Sequence, residues 1–260
     1  MKKIILPVFM TLFFILGITG YGYPCSGAAY IDDEKTIVWI NFDKPEAIKV
    51  DFENAKGLFG SSRTMGFRWI GKKSPAPHIS QGVNEHGLAI ITMSAPDGTP
   101  CASTGDWLRE FKTVDEAVSK IEGKSSYLGF HQFKILADRQ KVALIESYTS
   151  KEYKIVVIDK GLLAHTNHYT SPELSQYNNK LAKTPGWIAF SDKRLKMIEN
   201  FLGTNDKTIE SFKDLSSLKH LNRDDTIASI IICIPHNDEK PKVIYRFPKS
   251  QDKDWVEVGF

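Results

Sequence analysis

KKIILPVFMTLFFILGITGYGYPCSGAAY, residues 2–30, decides how the rest of the chain is read. Lys2 and Lys3 precede an apolar run from Ile4 to Ile18, and the small residues Gly20 and Gly22 follow. This is the three-part layout of a secretory signal peptide. Cys25 comes just after it. If loss of residues 1–24 makes Cys25 the first residue of the mature chain, its α-amino group becomes the general base for its own thiol, with a typical pKa of ~7.7–8.0. One residue then supplies both nucleophile and base.

Cys25 has other readings. A lipoprotein signal also sets a Cys after the apolar run, but it wants small residues before that Cys, where this chain has Tyr23-Pro24. An exported compartment is oxidising, and Cys101 and Cys233 complete three cysteines, which suits one reactive thiol and one pair. The apolar run as an uncleaved anchor is short against the ~20 residues that span a bilayer. The expectation is therefore cleavage and export to the periplasm or the extracellular space, with no stable membrane association afterwards and lipid anchoring as the alternative.

The remainder, Cys25 to Phe260, reads as one domain, with no repeat and no linker to divide it. The 42% hydrophobic and 25% charged content of the whole sequence suits a globular protein with a full core. A net charge of +3, partly from Lys2 and Lys3, calls for neither nucleic acid nor an acidic membrane surface. Strand-like runs dominate: Gly27–Tyr30, Thr36–Asn41, Gly87–Ser94, Phe133–Ala137, Val142–Tyr148, Tyr153–Ile158, Thr226–Ile234 and Lys242–Phe247. Short polar turns such as Asp32-Asp33-Glu34 and Asp138-Arg139-Gln140 join them as antiparallel hairpins. Thr113-Val114-Asp115-Glu116 is a capping box opening a helix that ends near Gly123. A second helix is expected from a Ser191 cap to Gly203, with Leu195, Ile198, Phe201 and Leu202 as its apolar face. Helices flanking antiparallel sheets make an α+β layered domain.

Arg194 falls in the first turn of that second helix, where the helix dipole disfavours a cation. It reads either as a solvated arginine compensated by Asp192 or as one held inward to serve a site, the first being the expectation from local sequence. Other polar clusters close strands: Asn41-Phe42-Asp43, Gly82-Val83-Asn84-Glu85-His86-Gly87-Leu88, and His165-Thr166-Asn167-His168-Tyr169. Each singly is an ordinary turn. His165 and His168 lack a third His or Cys at ligand spacing, so no metal is expected. Together, a thiol, a carboxylate, an amide and a guanidinium are the parts needed for acyl transfer through a thioester.

In this order Cys25, Asn41-Phe42-Asp43, Gly82 to Leu88, Ala137-Asp138-Arg139 with Glu146, Thr166-Asn167-His168-Tyr169 and Ser191-Asp192-Lys193-Arg194 resemble the linear-amide C–N hydrolases. These include choloylglycine hydrolases, penicillin V acylases and the acyl-CoA:isopenicillin N acyltransferase group, and the acyltransferase branch looks nearer. The resemblance implies an N-terminal-nucleophile fold, a four-layer αββα sandwich of two mainly antiparallel sheets. It also implies roles. Cys25 attacks the amide carbonyl, Asp43 holds the Cys25 amine or thiol, and Arg194 sits beside the thiolate. The side chain of Asn167 and a backbone N–H near Ser94 form the oxyanion hole, and Asn84 braces its turn. The implied substrate is a small-molecule N-acyl amide, with no cofactor. Its acyl part is apolar if the segments Ser61–Ile79 and Ala95–Trp107 line the pocket with Phe67, Trp69 and Trp107.

The chain departs from the family pattern in two places. Many relatives carry Arg or Lys just before the Asn-x-Asp element; here the residue is Ile40, leaving Arg63 or Arg68 to replace the charge if anything does. This makes a non-catalytic binding protein on the same fold an alternative to the amidase or to transfer onto an amine. Signal cleavage after Gly20 or Gly22 leaves residues ahead of Cys25, so a peptidase or the thiol itself must remove the rest.

Overall fold

The computed structural model describes residues 25–43, 50–56, 62–69, 78–95, 104–123, 128, 131–182, 184–249 and 254–260. The expected leader, residues 1–24, lies outside them, as does Cys101. The strands are β1 (Ser26–Ile31), β2 (Lys35–Asp43), β3 (Val50–Lys56), β4 (Arg63–Trp69), β5 (His78–Asn84), β6 (Ala89–Ser94), β7 (Gln132–Ala137), β8 (Val142–Ser147), β9 (Tyr153–Ile158), β10 (Gly161–His165), β11 (Thr226–Pro235), β12 (Lys242–Arg246) and β13 (Val256–Gly259). The helices are α1 (Thr104–Glu110), α2 (Val114–Gly123), α3 (Pro172–Ser175), α4 (Asn178–Leu181), α5 (Trp187–Thr204) and α6 (Ile209–Ser217).

Two antiparallel sheets result, one ordered β10-β1-β2-β11-β12-β13 and the other β3-β4-β5-β6-β7-β8-β9. Alternation along each strand explains why they stack. In β2, Val38 and Ile40 enter the core between the sheets, while Ile37 and Trp39 join Ile198, Leu202, Phe212 and Leu215 of α5 and α6. In β6, Ala89 and Ile91 face the inter-sheet core, while Ile90 packs with Trp107, Val114 and Ile121 of α1 and α2. Strands apolar on both faces must be covered on both, and burying each Ile or Leu contributes about 1.5–3 kcal/mol. The expected αββα sandwich is what forms.

Several elements differ from the sequence expectation. β4, in the segment read as a pocket loop, contains Gly66, which pairs with Gly82 of β5. A Cβ on Gly66 would lie 2.7 Å from the Gln81 carbonyl, and one on Gly82 would lie 2.4 Å from the Met65 carbonyl, so this pair of glycines lets the strands approach. β6 begins at Ala89, after a turn in which Gly87 has φ +93°. α2 starts where Thr113 accepts from Glu116 N, but the Glu116 carboxylate caps Lys112 N rather than Thr113 N. α5 begins at Trp187, capped by Gly186 at φ 77°, so Ser191 lies inside the helix and Gly203 within its last turn. Arg194 is therefore two turns in, where the helix-end field no longer acts on it.

Candidate active site

The β1–β2 hairpin builds one side of the site. Its tight turn is closed by Asp32 Oδ1, which accepts from the N–H groups of Glu34 and Lys35 at 2.8 and 2.9 Å. The resulting register pairs Ser26 with Asn41, so Cys25, one residue ahead of β1, falls beside Asp43 at the end of β2. The Cys25 Sγ lies 3.9 Å from the Asp43 carbonyl oxygen, and Cys25 is buried, 1% exposed. Cys233 is a free thiol packed beneath α5 and α6, and burial pushes its pKa up.

Arg194 ties the hairpin to the segment after β10. It is fully buried, contrary to the solvated reading. Its Nη1 donates to the Cys25 carbonyl at 2.8 Å and to Ser26 Oγ at 2.6 Å, and its Nη2 donates to Asn167 Oδ1 at 2.9 Å. Burial lowers its pKa to about 10, opposed by the charges of Asp43 and Cys25, so it stays a cation at neutral pH. Asn167 in turn donates from Nδ2 to the Ser94 carbonyl at 2.6 Å, while its backbone N–H donates to Ser191 Oγ at 3.0 Å. Ser191 also meets Thr166 Oγ1 at 2.8 Å and His168 Nδ1 at 2.9 Å. Cys25, Asn167, Ser94 and Arg194, far apart in sequence, thus form one connected group.

Asp43 is the acidic member. Its Oδ1 accepts from Thr226 Oγ1 at 2.5 Å, while Oδ2 has no hydrogen-bond partner among the described residues. Burial raises its pKa to about 8; the Thr226 hydrogen bond and the charges of Arg194 and Arg223 pull down, and Asp225 pushes up.

Two buried residues of the sequence motifs act on the frame. Glu146 accepts from His165 Nε2 at 2.8 Å and from the Thr170 and Ser171 N–H groups at 2.6 and 3.0 Å. Burial would raise the Glu146 pKa, but the hydrogen bond and charge of His165, then the Ser171 and Thr170 donors, bring it to about 2. These bonds lock the Asn167 segment to β8. Burial, then the charge of His165, lowers His168 to about 4. Asn84 spans its turn, donating to the Leu108 and Phe111 carbonyls and accepting from the His86 and Leu88 N–H groups. It sits under α1, away from the thiol.

Ile40 is fully buried in the inter-sheet core and brings no charge. Of the two replacement cations expected, Arg63 lies 5.8 Å over the Phe260 ring, and the Arg68 side chain is outside the described residues. A cation beside Asp43 that the sequence reading missed is Arg223, whose Nε lies 4.0 Å from Asp43 Oδ2. Its only sequence signal is the polar run Asn222-Arg223-Asp224-Asp225 before β11, which reads as a turn. Phe67 packs edge-to-face on Tyr245 and Phe247, and Trp107 lies on the buried face of α1, so both cover core. Trp69's side chain and much of the two expected pocket segments lie outside the described residues.

Two stacked antiparallel sheets between helical layers are the fold of the N-terminal-nucleophile hydrolases. The model of the acyl-coenzyme A:6-aminopenicillanic acid acyl-transferase family matches residues 34–250, and the chain belongs to that family, within the linear-amide C–N hydrolases. No curated protein sequence matches the chain. Solved structures share the fold. A variant of the conjugated bile acid hydrolase from Clostridium perfringens has a TM-score of 0.56 at 12% identity, over 91% of this chain and 96% of that one. Penicillin V acylase from Agrobacterium tumefaciens has 0.55 at 14%, over 91% and 86%. The N-acylethanolamine-hydrolyzing acid amidase ortholog of Caenorhabditis elegans has 0.55 at 13%, over 83% and 94%.

Proposed function

We propose that this chain is an exported cysteine amidase that cleaves the linear amide of a small-molecule N-acyl substrate through a thioester on Cys25. The observation that carries the reading is the Arg194 guanidinium, fully buried and shared between the Cys25 carbonyl at 2.8 Å and Asn167 Oδ1 at 2.9 Å. Burying a cation costs several kcal/mol and adds little net stability, so a device that fixes a thiol against an amide donor reads as functional. The reading requires loss of residues 1–24, which frees the Cys25 amine. That amine takes the thiol proton; Sγ adds to the amide carbon, and the oxyanion forms. The side-chain amide of Asn167, held against Ser94 O at 2.6 Å, is assigned to the oxyanion, with a backbone N–H near Ser94 as second donor. The C–N bond then breaks, the amine leaves with the proton held by the Cys25 ammonium, and water activated by the freed amine hydrolyses the thioester. Asp43, beside Cys25 with Oδ2 lacking a donor among the described residues, is assigned to the freed ammonium.

The family match favours a second reading, in which an amine rather than water takes the acyl group. N-terminal sequencing and intact mass of the exported protein test both: the active form begins at Cys25. Full activity in a form that retains Tyr23-Pro24 would overturn them. Product analysis with and without an added amine separates hydrolysis from transfer.

A further inference from the structure

Arg223 is the feature of the site's surroundings that this mechanism does not use. It leads into β11, about one-third exposed, with its Nε 2.9 Å from Asp225 Oδ1 and its Nη2 3.4 Å from Asp225 Oδ2. Its guanidinium also lies 4.9 Å over the ring of Phe190, and Arg194 lies 5.0 Å over the same ring. Each contact is attractive, because a ring face is electron-rich. The Arg223 backbone N–H donates to Thr226 Oγ1 at 2.8 Å, and that hydroxyl donates to Asp43 Oδ1. Arg223 thus approaches the two oxygens of Asp43 by two routes, through the Thr226 hydroxyl to Oδ1 and by its guanidinium, 4.0 Å from Oδ2.

We propose that Arg223 is a positioning residue of this site: from the loop before β11 it holds the buried Asp43 carboxyl in place beside Cys25 and favours its anion, where Ile40 brings no cation. The proposal rests on the reading of Cys25 as the nucleophile. Among the described residues, the charged and titratable groups that face Asp43 are Arg223 and Asp225 from the β11 approach, Arg194 from α5 and the Cys25 thiol just ahead of β1. Desolvation favours the neutral carboxyl, so the balance of these few charges decides whether Asp43 is an acceptor for an ammonium. Asp225 does double duty. It orients Arg223, and its own charge opposes ionisation of Asp43, so removing Arg223 takes away a cation and leaves that anion unopposed.

The test follows the Asp43 carboxyl carbon by NMR through a pH titration of the full chain labelled at aspartate, with the signal assigned by its loss in Asp43→Asn. Arg223→Gln is expected to move the midpoint up by about one pH unit. Arg223→Lys keeps most of the charge and leaves the midpoint near its starting value. Asp225→Asn removes the anion and moves it down, an opposite sign that general loosening of the fold would not produce. The acidic limb of the turnover profile moves to higher pH in Arg223→Gln, and Arg223→Lys restores it. An Asp43 midpoint unmoved by Arg223→Gln, or moved in the same direction by Asp225→Asn, overturns the proposal. Should Cys25→Ala leave turnover intact, the nucleophile reading fails whatever Asp43 does. If Cys25 is essential and the carboxyl does not move, only the role of Arg223 fails.

Discussion

Over the seven-stranded sheet, α1 and α2 press Trp107, Leu108, Val114, Ala117 and Ile121 onto Ile90, Leu136 and Ala143, a contact made largely by apolar side chains. Over the six-stranded sheet, α5 begins the same way at one end, setting Ile198 and Leu202 against Ala28, Ile37 and Trp39. One to two turns earlier it sends Ser191 and Arg194 inward, against Thr166, Asn167, Ser26 and the Cys25 carbonyl. Two helical layers in equivalent positions thus do different things. The apolar layer excludes water and fits many packings, whereas the polar half of α5 is satisfied only when each acceptor stands in place, because an unpaired buried guanidinium is so costly. Architecture is shared by both layers; chemistry is confined to one.

The sharpest way to break this contrast is Cys25→Ala. Turnover is expected to fall to background while the thermal midpoint moves by no more than a few degrees, since one sulfur is removed from a small site. Near-normal turnover would make the polar half of α5 merely structural. Next in size is Glu146→Gln, which leaves the buried His165 without its carboxylate and should lower unfolding free energy at pH 7 by about 3–5 kcal/mol. Because the Glu146 pKa is depressed in the fold, its contribution is fully present above its ordinary value of 4.5 and is lost as pH falls through about 2. Urea unfolding of wild type and variant should therefore converge toward pH 2, and a constant gap at all pH values would show that packing rather than charge is at stake.

Asn167→Ala comes third. Its kcat is expected to drop about 10²–10³-fold with KM little changed, an effect of about 2.7–4 kcal/mol felt mainly in the transition state. A rise in KM alone would assign Asn167 to substrate binding instead. The smallest effect belongs to the apolar side. Asn84→Ala leaves the Leu108 and Phe111 carbonyls and the His86 and Leu88 N–H groups without their partner, and should cost roughly 2–3 kcal/mol of stability. Its kcat, measured well below the melting point, should stay unchanged; a fall would mean that the second layer reaches the site after all.

Much of this was legible in the chain. The near-continuous apolar runs Thr36–Asn41 and Thr226–Ile234 mark strands, and the Thr113 to Glu116 box marks the start of α2. Less regular strands hid themselves. Arg63–Trp69 mixes Arg, Thr and Gly and reads as a loop, because its glycine answers a partner strand rather than a local turn. The start of α5 was misplaced for a related reason: Ser191 is a good cap by composition, yet here its hydroxyl serves His168, Thr166 and Asn167 N–H. That shift of start turned Arg194 from an apparent first-turn surface residue into a buried one.

The family resemblance implied the four-layer order; residue patterns alone determined the strands and helices of an α+β domain, the antiparallel hairpins, the place of Cys25 ahead of the first strand and the residue types available for acyl transfer. Those patterns follow from periods of two and of 3.6 residues and from turn chemistry, all of which act over a few neighbours. Only the tertiary structure decided which arginine is desolvated and which carboxylate it faces. Arg194 meets the Cys25 carbonyl across 169 positions and Asn167 across 27, and Thr226 meets Asp43 across 183. The field at a buried charge is set by whatever the folded sheets and helices bring within a few ångströms of it, and no local pattern encodes that distance.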